Sequence, residues 1–159
     1  MPFKRILVAA DGTHTGTRAL ELGAQLAGLC HAKLAVVHVV DSLRGFAPQF
    51  AWGPRTYEAE HLDHGRTFLN AMMEKLPDAL EKTPILRSGD PSIEIARAAI
   101  EFGADLLIVG GPSHHRLGRL LLGSVDEALL DEAHCSVLMI QPDAATAPAK
   151  SEWTTNNYE

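Results

Sequence analysis

The 159-residue chain is 46% hydrophobic and 21% charged and has a formal net charge of −6, a profile typical of one soluble globular domain. The acidic balance argues against nucleic acid as a partner, because neutralising phosphates requires a basic face. The first apolar run is too short for a signal peptide or a membrane span, so we expect a cytoplasmic protein with no membrane partner.

Five short apolar runs predict β-strands. Four of them are nearly continuous in Val, Ile and Leu, which is typical of strands covered on both faces and therefore of a parallel sheet. The third run is more polar and suits an edge of the sheet. The five runs cover residues 6–10, 33–40, 84–88, 105–110 and 136–141.

Apolar residues at spacings of three and four predict helices between the strands. The second helix is expected to end or bend at Pro77. The third has Asp90 as its cap, Pro91 at its first position and Gly103 as its stop. The predicted helices cover residues 15–29, 57–80, 91–102 and 124–133.

The alternation of strand and helix predicts an α/β fold, a doubly wound five-stranded parallel sheet with helices on both faces. In such Rossmann-like sheets ligands bind beyond the carboxyl ends of the strands, where the strand order reverses. The segments that follow strands, at 9–13, 39–42 and 110–124, are therefore the candidate binding segments. Residues 42–55 form a long connection with three aromatic side chains, either a lid or contact surface, or aromatics folded back on the nearest helix.

The cysteines and one histidine have structural interpretations. Cys30 ends a helix and Cys135 precedes a strand, both in the small apolar surroundings of buried thiols. His38, near the end of the second strand, is expected to be hydrogen-bonded in the interior. The adjacent His114 and His115 lack a third residue at ligand spacing, so no metal site is predicted and the pair is expected to face solvent or phosphate.

Three stretches together resemble the universal stress protein family: KRILVAADGTHTGTRALELGAQLA, LAVVHVVD and LLIVGGPSHHRLGRLLLGSVDEALLDEAHCSVLMIQP. The resemblance covers nearly all of residues 3–141. It implies an adenine nucleotide alpha hydrolase-like fold, with residues 1–142 as the family's domain. Residues 143–159 are rich in Ala, Thr and Asn and are expected to form a flexible tail. The resemblance also implies binding of ATP or a related adenine nucleotide by a dimeric stress-response module.

The loop after the fourth strand carries the most specific part of the resemblance. Nucleotide-binding members have Gly, two residues, Gly, nine residues, Gly and then Ser or Thr. Here that spacing begins at Gly110 and closes at Gly123 and Ser124. Ser113 replaces the middle glycine, and Asp126 stands where the family commonly has Ser or Thr.

These departures have different expected costs. Backbone N–H groups of such a loop and of the following helix N-terminus form an anion cradle, to which Ser113 still contributes an N–H. Gly110 is expected to let the chain turn off the strand, and Gly123 to let backbone approach phosphate. The carboxylate of Asp126 would repel a bound triphosphate by roughly 3–4 kcal/mol at an effective dielectric of about 20, unless Mg²⁺ bridges the two.

By the resemblance, the base and ribose lie against Ala9 and Asp11, and Val39 contributes backbone groups. Asp11 would hold a hydroxyl with its carboxylate, or it caps the first helix instead. Arginine in the loop favours phosphate. The complete predicted nucleotide site is Ala9, Asp11, Val39, Gly110, Gly111, Pro112, Ser113, His114, His115, Arg116, Gly123, Ser124, Val125 and Asp126.

Three function classes follow, and the first is favoured. It is an ATP-binding homodimer joined through the last strand, with ATP bound alone or with Mg²⁺ and with protein partners unknown. The second is a nucleotide-free interaction module. The third, an adenylating enzyme, would need a Ser-Gly-Gly-x-Asp-Ser type loop, and the chain has AADGTHTGT there and no Walker-type sequence. No acid, base or nucleophile constellation stands out, so we expect no catalytic residues and at most slow ATP hydrolysis.

Overall fold

Eight elements make up the fold in the computed structural model, which describes residues 3–41, 54–111 and 133–142. In chain order they are β1 (Arg5–Ala9), α1 (His14–Cys30), β2 (Lys33–Asp41), α2 (Pro54–Glu74), β3 (Lys82–Gly89), α3 (Pro91–Phe102), β4 (Leu106–Gly110) and β5 (Ser136–Ile140). The five strands pair in parallel in the order β3-β2-β1-β4-β5. The predicted doubly wound parallel sheet is confirmed, and β3 lies at an edge as its polarity indicated.

Helices cover both faces of the sheet. α1 and α2 pack on the face that carries Ile6, Val8 and Val36, and α3 packs on the face that carries Leu7 and Val37. Burial on two sides explains why the inner strands are continuous runs of large apolar residues rather than alternating ones. The strand order reverses between β1 and β4, so their carboxyl ends flank the crevice at the switch point.

The first helix lies very close to the sheet. Thr13 caps it by accepting a hydrogen bond from the Gly16 N–H, and His31 ends it in the left-handed region at φ 52°. Within the helix, a Cβ added to Gly23 would lie 2.4 Å from a methyl carbon of Val8 on β1. Glycine at this position therefore sets the helix-to-sheet distance.

The second helix ends earlier than the sequence predicted. It stops at Glu74, three residues before Pro77, and the chain continues with i→i−3 hydrogen bonds from the Lys75 N–H to the Met72 carbonyl and from the Leu76 N–H to the Met73 carbonyl. The Lys82 ammonium, at the start of β3, donates to the Leu76 carbonyl at 2.8 Å and to the Met73 carbonyl at 3.4 Å.

The third helix matches its prediction. The Asp90 carboxylate accepts from the N–H groups of Ser92 and Ile93, Pro91 occupies the first helical position, and Gly103 ends the helix at φ 68°. Of the predicted fourth helix, only Ala133 is described, and it is not helical. Residues 42–53 of the long connection and the 143–159 tail lie outside the described residues, so both alternatives for the connection stay predictions.

Both cysteines are free thiols. They are half-buried, whereas the small apolar residues around them in the sequence predicted full burial. Burial raises the pKa of the Cys135 thiol, and the negative charge of Asp105 raises it further. The thiol is therefore protonated at neutral pH, which agrees with a packing role. Among the helices of the described ranges, none is both long and apolar enough to cross a membrane.

Candidate functional site

The predicted site residues that the structure describes meet at the carboxyl ends of the strands. Ala9 and Asp11 lie at the end of β1, Val39 near the end of β2, and Gly110 and Gly111 at the end of β4. The strand order reverses between β1 and β4, and the space beyond their carboxyl ends is the crevice in which such folds bind ligands. The predicted residues outside the described ranges are Pro112, Ser113, His114, His115, Arg116, Gly123, Ser124, Val125 and Asp126.

The backbone of Val39 faces this crevice. The Ala10 N–H donates to the Val37 carbonyl at 2.9 Å, so the backbone groups of Val37 point toward β1. Backbone direction alternates along a strand, which makes the N–H and C=O of Val39 point the same way. The pairing of β1 with β2 ends at Ala9 and Val37, so Val39 presents a donor and an acceptor beyond the end of β1.

Asp11 is the exposed charged side chain at the end of β1. Its Oδ1 accepts from the Thr13 N–H at 3.0 Å and from the Thr13 hydroxyl at 2.6 Å. The cap of α1 is Thr13, so the alternative in which Asp11 caps this helix is wrong. A Cβ added to Gly16 would lie 2.2 Å from Oδ1, so the missing side chain at Gly16 leaves room for the carboxylate beside the positive end of the helix. Ala9 is 9% exposed and packs in the layer beneath α3.

Gly110 is needed for a reason other than the predicted turn. It is the last residue of β4 and pairs with Ile140, and a Cβ there would lie 2.6 Å from the backbone nitrogen of Gly16 and 2.8 Å from the carbonyl carbon of Thr15. The N-terminus of α1 therefore rests directly on the end of β4. Gly111 is similarly close to β5, because its N–H donates to the Ile140 carbonyl at 2.7 Å.

Two threonines connect the β1 end with the β4 end. The Thr15 side chain is 1% exposed, and its hydroxyl donates to the Gly111 carbonyl at 2.9 Å. The same oxygen lies 3.2 Å from the Thr13 hydroxyl, which holds Asp11. The contact of Asp11 with Thr13 follows a local Asp-x-Thr pattern, whereas the bond from Thr15 to Gly111 was not predicted from the sequence.

An aromatic pair packs between α2 and the carboxyl-terminal half of β2. The rings of His38 and Phe68 have centroids 4.5 Å apart and are tilted by 49°. His38 Nδ1 lies 2.7 Å from the Ala10 carbonyl oxygen, so the predicted interior hydrogen bond of this histidine is confirmed. Phe68 also reaches the β1–α1 turn, where a Cβ on Gly12 (φ 76°) would lie 3.3 Å from its ring. The described ranges contain no group of three His, Cys, Asp or Glu side chains able to hold a metal ion.

These features define a doubly wound α/β protein with the polar side chains of Asp11, Thr13 and Thr15 beside its switch point. Over residues 2–141 the sequence matches the universal stress protein family. The chain belongs to that family, as the three sequence stretches indicated.

Solved structures show the same fold. A universal stress protein family member from Burkholderia pseudomallei is 31% identical, with a TM-score of 0.66 over 86% of this chain and 95% of that one. A universal stress protein in complex with cAMP is 22% identical, with a TM-score of 0.57 over 89% and 98% of the two chains. The universal stress protein from Archaeoglobus fulgidus in complex with dAMP is 21% identical, with a TM-score of 0.54 over 88% and 99%.

Proposed function

We propose that this universal stress protein binds an adenine nucleotide, ATP alone or with Mg²⁺, in the crevice between the ends of β1, β2 and β4. The observation that carries the proposal is the Val39 backbone, whose N–H and C=O face the crevice. Adenine has an amino donor beside a ring-nitrogen acceptor, which is the complement of one N–H and one C=O. Adenine nucleotides are also the ligands of two family members of the same fold.

The other described residues fit a nucleotide in this orientation. The Asp11 carboxylate is exposed and is held in place by Thr13, so it is preorganised to accept from a ribose hydroxyl. Gly111 begins the loop that would hold phosphate, and Thr15 fixes its carbonyl. Ser113, Arg116, Gly123, Ser124 and Asp126 remain proposed phosphate residues on the strength of the sequence alone.

The proposed role is a cytoplasmic binding module rather than an enzyme, with at most slow turnover of ATP. The family supplies the stress-response role. A nucleotide-free interaction module is the second candidate, because Ser113 and Asp126 depart from the family's loop.

Calorimetric titration with ATP tests the proposal. We expect saturable binding of one ATP per chain and weaker binding of GTP. Because Mg²⁺ can bridge the Asp126 carboxylate and phosphate, it should raise the ATP affinity more than it would in a site that lacks this carboxylate.

Asp11→Asn is expected to weaken ATP binding about tenfold, because a charge-assisted hydrogen bond becomes a neutral one. Asp78→Asn, an exposed carboxylate at the opposite end of the sheet, is the matched control and should leave affinity unchanged. Absence of binding heat for ATP both in EDTA and in Mg²⁺ would contradict the proposal and favour the interaction module.

We further propose that the chain is a homodimer joined through β5. This strand ends the described sheet and consists of Ser136 followed by four apolar residues, each half-buried. An apolar edge strand without a partner would promote aggregation. Light scattering at micromolar concentration is expected to give twice the chain mass of 17.2 kDa, and Met139→Lys to lower it toward one chain. A wild-type monomer under these conditions would contradict the dimer.

A further inference from the structure

His38 lies where the ladder between β1 and β2 would otherwise continue. In a parallel ladder, the bond from the Ala10 N–H to the Val37 carbonyl is followed by a bond from the Val39 N–H to the Ala10 carbonyl. The described backbone hydrogen bonds do not include that second bond. The Ala10 carbonyl instead faces His38 Nδ1 at 2.7 Å.

The direction of the contact follows from its acceptor. A carbonyl oxygen only accepts, so Nδ1 carries the hydrogen and donates to Ala10. This donor is present in the imidazolium and in the neutral Nδ1–H tautomer.

Packing holds the imidazole in this position. The ring is half-buried against Phe68 of α2. Gly65, one turn earlier on the same helix, provides the space, because a Cβ there would lie 3.4 Å from His38 Cδ2 and 2.6 Å from a methyl carbon of Val40. The hydrogen bond to Ala10 and the packing against α2 thus restrict the orientation of the imidazole ring.

We propose that His38 is a positioning residue: by occupying the Ala10 carbonyl it ends the β1–β2 ladder at Val37 and keeps the N–H and C=O of Val39 available to the nucleotide base. The inference rests on the proposed function and deepens it. In this proposal the His38 side chain makes no contact with the base. Its effect on affinity acts through the backbone of Val39.

The test compares two amide side chains that differ by one methylene. His38→Asn places an amide nitrogen near the position of Nδ1, whereas His38→Gln places it nearer that of Nε2, and His38→Leu has no donor. Amide hydrogen exchange at Val39 is measured first, in the ligand-free protein. We expect exchange in the Leu and Gln variants to slow at least about tenfold, because the Val39 N–H then pairs with Ala10, and to remain fast in the wild type and the Asn variant.

ATP affinity is measured second, by calorimetry. We expect it to fall about tenfold in the Leu and Gln variants and to return in the Asn variant. If His38 only supported packing, His38→Asn would not restore ATP affinity while His38→Gln failed to restore it. Val39 exchange that is the same in the wild type, Leu and Gln proteins would overturn the role of His38, whatever ATP does. Exchange that responds as expected in a chain that binds no ATP would support the effect of His38 on Val39 and overturn the nucleotide function alone.

Discussion

Replacing Gly110 with Ala is expected to lower the free energy of unfolding by about 3 kcal/mol, at the upper end of what overpacking costs. The added Cβ would lie 2.6 Å from the Gly16 nitrogen and 2.8 Å from the carbonyl carbon of Thr15. Both obstacles are backbone atoms in the first turn of α1, so no side-chain rotation relieves the clash. The helix N-terminus has to move away from β4, which also breaks the contact of Thr15 with Gly111. Urea denaturation followed by circular dichroism measures the loss.

Gly28→Ala is the matched control for this substitution. Gly28 lies near the end of the same helix, and a Cβ there would meet only Leu80, at an ordinary 3.9 Å. This substitution is expected to stabilise the protein by about 0.5–1 kcal/mol, because it removes the backbone entropy of glycine in a helix. A Gly110→Ala protein within about 0.5 kcal/mol of the wild type would contradict the close approach of α1 and β4.

Replacing Thr15 with Val is expected to cost about 1–3 kcal/mol, the penalty for leaving a buried hydrogen-bonding group without its partner. Valine has nearly the same shape, so packing is retained while the Gly111 carbonyl loses its donor. Thr15→Ser keeps the hydroxyl and should recover most of the stability. The first residue of the proposed phosphate loop is also released, so ATP affinity is expected to fall in the Val variant.

Thr17→Val on the same helix is the matched control. The Thr17 hydroxyl donates to the Thr13 carbonyl at 3.1 Å, but the residue is only half-buried and the bond lies within one turn of the helix. Its loss should change the free energy of unfolding by less than about 0.5 kcal/mol. If both substitutions lowered the free energy of unfolding equally, the hydrogen bond from Thr15 to Gly111 would contribute no more to stability than a bond within the helix.

Local patterns in the sequence were sufficient to predict most of the fold. Continuous apolar runs indicated strands covered on both faces, and the Asp90–Pro91 start and Gly103 stop of α3 appear as predicted. The end of α2 was not predictable from its own residues. Lys82, which belongs to the next strand, donates to the Met73 carbonyl in the last turn of the helix and to the Leu76 carbonyl just beyond it. β3 also begins two positions earlier than its apolar run, because pairing with β2 extends it to Lys82.

The location of the candidate site was predictable, but its internal contacts were not. Carboxyl ends of parallel strands share one edge of the sheet, which places Asp11, Val39 and Gly111 together. The hydrogen bond from Thr15 to Gly111 spans 96 positions of sequence, and no local pattern signals it. Gly110 was predicted to allow a turn, but the structure places it in β4, where the approach of α1 leaves no room for a side chain.

The central claim is that an adenine nucleotide binds at the crevice between the ends of β1, β2 and β4. The most direct test is titration of the ¹⁵N-labelled chain with ATP, followed through its backbone amide signals. We predict saturable shifts that are largest at Asp11, Val39 and Gly111, with small changes on the exposed face of α2 around Asp63. Amide signals at Asp11, Val39 and Gly111 that remain unmoved at saturating ATP, with or without Mg²⁺, would contradict the claim.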